Sequence, residues 1–156
     1  MKKIIMVSTN NTCRSFIAES ILRQYLLDAD QKNVEVISRG LVVLFPEPVH
    51  VKAADMVIKT CGIESLDFRS AQLTQEEVEE SDLILTMTEE QKDKILEEYH
   101  GYKEIATLNE YARVEGAIID PYGMEDDDYE RCFEQIARLV KKYGKKTRRK
   151  QNDRYW

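Results

Sequence analysis

Residues 2–28 read KKIIMVSTNNTCRSFIAESILRQYLLD, and this stretch decides the fold. The short apolar run from Lys3 to Val7 predicts a buried strand. From Arg14 to Asp28 the apolar side chains recur at helical spacing, which predicts an amphipathic helix. Between the two lies a polar loop, Ser8–Ser15, that carries the chain from the end of the strand into the start of the helix.

The alternation of strand and helix continues along the chain. Apolar runs predict further strands at Val34–Ser38, Asp82–Met87 and Glu104–Leu108. Helical spacing or a capping-box pattern predicts further helices at Val51–Thr60, after Thr74 with Glu77, at Glu89–Tyr99 and at Asp126–Tyr143. This order indicates an α/β fold, a single-domain open parallel four-stranded sheet with helices on both faces. Because ligands of such sheets bind beyond the carboxyl ends of the strands, the loop after the first strand is the first candidate site.

Length and charge limit the classes of function. The 156 residues suit one domain, and 42% apolar residues are enough to form a core. The net charge is −6, but the last 16 residues contain eight Lys or Arg and one Asp, so the preceding 140 residues carry −13. An acidic body argues against nucleic acid as a partner. The basic end is either the solvated end of the last helix or a segment that touches anions.

Hydropathy and cysteine content predict a cytoplasmic protein that does not cross a membrane. The longest apolar run, Leu41 to Phe45, is far shorter than a bilayer span. The start MKKIIMV has too short an apolar stretch for an export signal, so we interpret it as a strand. Three cysteines without metal-ligand spacing fit free thiols in a reducing compartment.

The loop after the first strand has the residue types of an anion site. Backbone N–H groups of a short loop converge at the positive end of the following helix. Asn10 and Asn11 tolerate positive φ, which such a loop needs, and Arg14 adds a planar fork for phosphate oxygens. Ser8, at the end of the strand, is placed to point into the loop. By itself this pattern is equally compatible with an ordinary turn in which Ser15 starts the helix.

A second candidate feature is Asp120-Pro121-Tyr122. A carboxylic acid on a loop can protonate a leaving atom and then activate water as a base. Taken alone, Asp-Pro is more typical of a simple turn.

Together the two features resemble the low-molecular-weight protein-tyrosine phosphatase family. The loop of that family reads Cys-x-Gly-Asn-x-Cys-Arg-Ser-Pro after the first strand, and its general acid is the Asp of an Asp-Pro-Tyr/Phe motif. STNNTCRSF at residues 8–16 and DPYG at residues 120–123 stand in those places, and SRG, RSAQLT and SDLILTMT are also similar. The resemblance covers the chain up to its basic end, which implies a phosphatase-like domain at 1–143, with flavodoxin-like topology, and a basic tail at 144–156.

The resemblance implies a mechanism and a set of partners. Position 8 attacks phosphorus, the Arg14 guanidinium clamps two oxygens, and Asp120 protonates the leaving group. The phosphate-binding loop then comprises Thr9, Asn10, Asn11, Thr12, Cys13, Arg14 and Ser15. The implied partners are a phosphorylated protein or peptide, and inorganic phosphate or sulfate at the loop. No metal or organic cofactor is implied.

The resemblance also implies a substrate pocket that includes Thr12, Leu41 and Tyr122. Thr12 stands where many members have Ile, and members with Thr resemble the protein-arginine phosphatases. This residue therefore favours phosphoarginine over phosphotyrosine, although one residue leaves both substrates open.

The main departure is Ser8, which occupies the position of the nucleophilic Cys. A helix N-terminus and an Arg can lower the pKa of a thiol below neutrality, whereas a serine hydroxyl stays protonated. The two histidines, His50 and His100, are interpreted as surface residues, so neither supplies a base. The chain as written is therefore expected to bind phosphate and to turn it over very slowly or not at all. The alternative is a catalytically inactive pseudophosphatase that recognises phosphorylated protein.

Further departures bear on the origin of Ser8. Asn10 replaces the Gly of the loop, Phe16 replaces the Pro after Arg-Ser, and Phe68 replaces a His. A substitution introduced to trap substrate would change the Cys alone, so these three favour natural divergence, although both origins stay open.

The remaining cysteines offer a weak substitute for the nucleophile. Cys13 is disfavoured because Glu19 stands six positions on from it, where an Arg is needed. Cys61 and Cys132 have apolar neighbours and are interpreted as packing residues. Arsenate reduction, which the same fold supports, would need a Cys at position 8 and suitably placed partner cysteines.

Overall fold

The computed structural model describes residues 1–63 and 67–153, with side chains through residue 145. The secondary structure alternates as the sequence predicts. Its elements are β1 (Lys2–Ser8), α1 (Arg14–Asp28), β2 (Val34–Gly40), α2 (Val51–Cys61), α3 (Gln75–Glu80), β3 (Leu83–Thr86), α4 (Glu89–Glu98), β4 (Ile105–Thr107), α5 (Leu108–Ala112) and α6 (Asp126–Asp153).

Within the described residues the strands form one parallel sheet in the order β2-β1-β3-β4. The predicted fold class is confirmed. The chain leaves β1 for β2 on one side and returns to β3 on the other, so the order reverses at β1. A crevice opens at the carboxyl ends of strands at such a reversal. The loop between β1 and α1 lies at this point.

Both faces of the sheet are covered, as the continuous apolar runs predict. In β1, Ile4 and Met6 face the larger core, whereas Ile5 and Val7 face the smaller one. The larger core includes side chains of α1, α2, α5 and α6, and the smaller one includes side chains of α3 and α4. Alternation along a strand sends successive side chains to opposite faces, so a fully apolar strand requires helices on both sides.

The structure differs from the predicted elements in two places. The structure contains α5, which the sequence analysis did not predict, because its start lies at the end of a short strand. Thr107 and Glu110 form a capping box that starts this helix directly after β4. The last helix continues ten residues past the predicted end at Tyr143, since six of those ten residues are Lys, Arg or Gln, which are good helix formers, and none is a proline.

The basic tail assigned to 144–156 stays a prediction as a separate unit. Helix α6 continues into it as far as Asp153, but residues 154–156 and the side chains beyond residue 145 lie outside the described residues. Among the helices of the described part, none is long and apolar enough to cross a membrane.

Gly40, at the end of β2, sets how closely the neighbouring loops approach. It lies beside Ser8 in the sheet register. A Cβ at this position would lie 2.5 Å from Val43 Cγ2, 3.0 Å from the Thr9 carbonyl oxygen and 3.1 Å from Asn11 Cβ. The absence of a side chain therefore lets the segment after β2 pack directly on the loop after β1.

We expect Gly40→Ala to lower the free energy of unfolding by about 1–3 kcal/mol, because an added methyl group must displace backbone as well as side chain. Urea unfolding of the parent and the variant measures this difference. An unchanged unfolding midpoint would show that the loop can move away without cost.

Candidate functional site

The loop after β1 forms the floor of a cleft at the carboxyl end of the sheet. Residues from four parts of the chain meet there, since the loop, the start of α2, the loop before α6 and α6 itself all contribute. The cleft is lined by Ser8, Asn10, Asn11, Thr12, Cys13, Arg14, His50, Asp120, Tyr122 and Tyr129.

Asn11 holds the loop in shape. Its backbone has a φ of 60°, which is the left-handed region that Asn tolerates. Its fully buried side chain donates hydrogen bonds to Ser15 Oγ at 2.8 Å and to Ser38 Oγ at 3.0 Å, and it accepts one from the Ala71 N–H at 3.0 Å. One amide therefore joins the loop to α1, to β2 and to the segment before α3. Of the two asparagines predicted for positive φ, Asn10 does not adopt it.

Ser8 lies at the base of the cleft and is almost completely buried. Its hydroxyl oxygen is 2.6 Å from Ser15 Oγ and accepts a hydrogen bond from the Asn11 N–H at 3.2 Å. Neither partner is a base at neutral pH. The contacts hold the hydroxyl in place without removing its proton.

Arg14 and Asp120 face each other across the cleft. Arg14 Nη1 donates to the Ile118 carbonyl at 2.8 Å, and its Nη2 lies 3.7 Å from Asp120 Oδ2. The other carboxylate oxygen of Asp120 accepts from the Tyr122 N–H at 3.1 Å. A buried guanidinium and a half-exposed carboxylate are thus held at the same opening.

Cys13 of the loop and Cys132 of α6 form a buried thiol pair. The hydrogen bond with Cys132 and burial together raise the pKa of the Cys13 thiol, which therefore stays protonated. The same hydrogen bond lowers the pKa of Cys132, and Arg14 adds a smaller effect in that direction. A protonated Cys13 is a poor nucleophile, which agrees with its rejection on sequence grounds. Cys132 is buried in the core, as its predicted packing role requires, and Cys61 is half-buried at the end of α2.

His50 is the residue whose role was missed. The prediction that it is a surface residue is wrong, because its ring lines the cleft and stacks on Tyr129 with 4.9 Å between ring centroids. Its backbone N–H donates to the Thr12 carbonyl at 2.9 Å, which joins α2 to the loop. Its Nδ1 accepts from the Lys52 N–H at 3.3 Å and so caps α2. Its proximity to the cleft depends on how α2 packs, which no local pattern specifies.

Not every predicted site residue lines the cleft. Leu41, which we placed in the substrate pocket, is buried in the smaller core and borders a neighbouring groove, which shares Arg14 with the cleft. Its backbone N–H is held by the carbonyls of Ser8 and Thr9, so its side chain lies toward the α4 side of the sheet. Thr9 itself accepts a hydrogen bond from Gln91 at 3.1 Å. Ser15 accepts one from the Asn11 side chain and so stabilises the loop.

Two of the sequence departures contact each other. The rings of Phe16 and Phe68 lie 4.7 Å apart and pack at the larger core. Neither lines the cleft. Three residues other than Ser8 depart from the family pattern. Only Asn10 is part of the cleft wall, and the other two contact each other outside it.

The arrangement is suited to a tetrahedral anion. Loop amides at the start of α1 and the Arg14 guanidinium supply positive potential, and Asp120 supplies a proton donor or acceptor at the mouth. Among the described residues, no three His, Cys, Asp or Glu side chains are grouped closely enough to hold a metal ion.

Comparison with known proteins points to one family. The sequence profile of the low molecular weight phosphotyrosine protein phosphatases matches residues 3–153. The low molecular weight protein-tyrosine-phosphatase PtpB of Staphylococcus haemolyticus is 36% identical over 140 residues, which cover 90% of this chain and 96% of PtpB.

Solved structures add arginine phosphatases to the similar proteins. The YwlE arginine phosphatase from Geobacillus stearothermophilus has a TM-score of 0.85 and 30% identity, with 98% of this chain and 97% of that chain covered. A Cys-to-Ser mutant of the YwlE arginine phosphatase, described as having a phosphorylated active site serine, has a TM-score of 0.85 and 31% identity over 94% of this chain and 95% of its own.

Two variants separate the contribution of the Asn11 side-chain hydrogen bonds to stability from that of its backbone conformation. We expect Asn11→Gly to cost about 2–3 kcal/mol of stability, because it removes the side-chain bonds but permits the positive φ. Asn11→Ala should cost about 1 kcal/mol more, because a Cβ is strained in the left-handed region. Urea unfolding tests both variants. Equal stability of parent and Gly variant would contradict the central role of this amide.

Proposed function

The chain belongs to the low molecular weight phosphotyrosine protein phosphatase family, and we propose that it binds phosphotyrosine or phosphoarginine side chains of proteins at residues 8–15 and accepts their phosphoryl group on residue 8. The observation that carries the proposal is the meeting of Ser8, Arg14 and Asp120 in one cleft at the start of α1. The PtpB and YwlE relatives, named as tyrosine and arginine phosphatases, support the two substrate classes.

The loop binds the phosphoryl group through its backbone and Arg14. Loop amides between Thr9 and Arg14 surround the oxygens, apart from that of Asn11, which donates to Ser8 Oγ, and the N-terminus of α1 adds the positive end of its dipole. Arg14 uses one N–H to bond the Ile118 carbonyl, which orients the guanidinium and leaves its other N–H groups for the ligand. The Asp120 carboxylate, 3.7 Å away, keeps that guanidinium near the mouth until substrate arrives.

Transfer to Ser8 forms an Oγ–P bond and breaks the bond between phosphorus and the leaving oxygen or nitrogen. As the Oγ–P bond forms, the proton of the Ser8 hydroxyl passes to solvent water, and Asp120 in its protonated form gives its proton to the leaving atom. Asp120 then takes a proton from the attacking water. The hydroxyl of Ser8 attacks slowly because it remains protonated, whereas a cysteine thiol at the same position would be ionised in this field. We therefore expect the chain as written to accept phosphate slowly on Ser8 and to release it more slowly still. The phosphorylated serine of the YwlE mutant supports this expectation.

The second candidate function is a pseudophosphatase that binds phosphorylated protein without transfer. The contacts of Ser8 favour it, because a neighbouring hydroxyl and a backbone amide position the side chain but do not activate it. The two functions differ in whether the groups around position 8 catalyse phosphoryl transfer when that position carries a cysteine thiol.

We expect Ser8→Cys to create turnover of phosphotyrosine or phosphoarginine peptides, while the chain as written binds them with negligible release. Adding Asp120→Asn to Ser8→Cys should lower turnover roughly 10²–10⁴-fold while the peptide remains bound. Phosphate release and peptide binding are measured together. For the chain as written, mass spectrometry should find one phosphoryl group on Ser8, and Ser8→Ala should carry none. Binding without release by both the parent and the Ser8→Cys variant would instead support the pseudophosphatase.

Thr12 tests the choice between the two substrates. Its hydroxyl at the cleft can bond a guanidinium N–H, and an aliphatic side chain cannot. In the Ser8→Cys background, we expect Thr12→Ile to shift the ratio of kcat/KM values for phosphoarginine over phosphotyrosine toward phosphotyrosine by about tenfold, the worth of one hydrogen bond. Thr12→Val keeps the branched shape and should shift the ratio similarly. No shift in either variant would remove the basis for favouring phosphoarginine.

A further inference from the structure

Exposed apolar side chains are concentrated in the two loops beside the cleft. Among the described residues, eleven large apolar side chains are exposed, and six of them lie in these loops. We call this set the apolar rim: Val42, Leu44, Phe45, Ile119, Tyr122 and Met124. A monomeric protein rarely exposes apolar side chains in such a group unless the surface binds something.

The rim is continuous with the cleft on both sides. On one side, Val42, Leu44 and Phe45 line a groove of about 290 Å³ whose wall includes Asn10, which also lines the cleft. On the other side, Tyr122 lines the cleft itself. An extended chain whose phosphorylated side chain enters the cleft can therefore contact both parts of the rim.

The rim is also firmly positioned. The Val42 N–H donates to the Thr9 carbonyl at 3.0 Å, so this loop is tied directly to the floor of the cleft. The opposite loop is anchored by the Ile118 N–H, which donates to the Met87 carbonyl at 3.1 Å. Leu44 and Ile119 remain 88% and 71% exposed on these anchored loops.

The charged side chains next to the apolar rim limit which partner residues can bind there. Glu47 lines the groove beside Leu44 and Phe45, and Asp120 and Glu125 lie in or next to the opposite loop. Acidic side chains on a partner would be repelled at both positions. The surface is therefore suited to apolar, non-acidic neighbours of the phosphorylated residue.

We propose that the apolar rim binds apolar side chains on either side of the phosphorylated residue in an extended segment of a substrate protein. The proposal rests on the function proposed above and adds a sequence preference to it. It selects protein segments over small phosphate esters, because a small ester fills the cleft and leaves the rim uncovered.

The test uses the full chain with Ser8, which transfers the phosphoryl group too slowly to consume the peptides during a binding measurement. Two phosphotyrosine peptides differ only in their flanking residues, which are Leu in one and Ser in the other, and phosphoarginine versions are run alongside. The variants are Leu44→Ser with Phe45→Ser, and Ile119→Ser. The matched control is Leu27→Ser, because Leu27 is 74% exposed but lies at the far end of α1, about 20 Å from Arg14. Binding of inorganic phosphate is measured for every protein.

We expect the Leu-flanked peptide to bind the parent at least tenfold more tightly than the Ser-flanked one, the effect of burying about two apolar side chains. The rim variants should lose this preference while their phosphate affinity is unchanged, and Leu27→Ser should keep it. Equal binding of both peptides to a parent that binds phosphate would overturn the rim proposal alone. A parent that binds no phosphate would overturn the proposed function, and the rim proposal with it.

A second copy of the chain is the competing occupant of the rim. Sedimentation of the parent and of the Leu44→Ser, Phe45→Ser variant distinguishes it. A dimer that these substitutions abolish, together with equal binding of the two peptides, would assign the rim to self-association and overturn the proposal.

Discussion

The buried side-chain amide of Asn11 connects the loop after β1 to three other parts of the chain. Its hydrogen bonds reach Ser15 at the start of α1, Ser38 in β2 and the Ala71 N–H before α3. A loop of polar residues would otherwise leave its N–H groups to water, and their direction would vary. Because these bonds are buried, leaving any of them unmade costs more than a bond at the surface. This amide fixes the position of the loop, and the backbone N–H of the same residue donates to Ser8 Oγ.

The geometry around Ser8 and the chemistry of Ser8 are separable properties of the molecule. Backbone direction, the α1 dipole and the Arg14 guanidinium act on any tetrahedral anion, whichever atom occupies position 8. Activation of the attacking atom depends on its own acidity, and a hydroxyl is too weak an acid to ionise in this field. A cleft can therefore keep its recognition of phosphate while its rate of transfer falls. The Phe16 and Phe68 contact lies outside the cleft, so this part of the divergence does not alter the groups that face a ligand.

Positions close in sequence were predicted more reliably than positions brought together by packing. The order of strands and helices follows from hydrophobic periodicity, which acts over a few residues, and the structure confirms it. The capping box at Thr74 is likewise local and is confirmed. Helix α5 was missed because it begins within the same few residues that end β4. The end of α6 was placed too early because the last apolar residue of the periodic pattern, Tyr143, does not mark the end of the helix.

The sequence by itself determined the alternation of elements, the polar loop after β1 and the types of side chain available for phosphate chemistry, because each depends on residues within one or two turns of each other. Tertiary structure decided which of those side chains share a cleft. It brought His50 to the wall, since α2 packs against the loop through the Thr12 carbonyl, and it turned Leu41 away into the smaller core. It also gathered the apolar residues of two distant loops around one opening. These placements depend on contacts between segments far apart in the chain, and no short-range pattern encodes their distances.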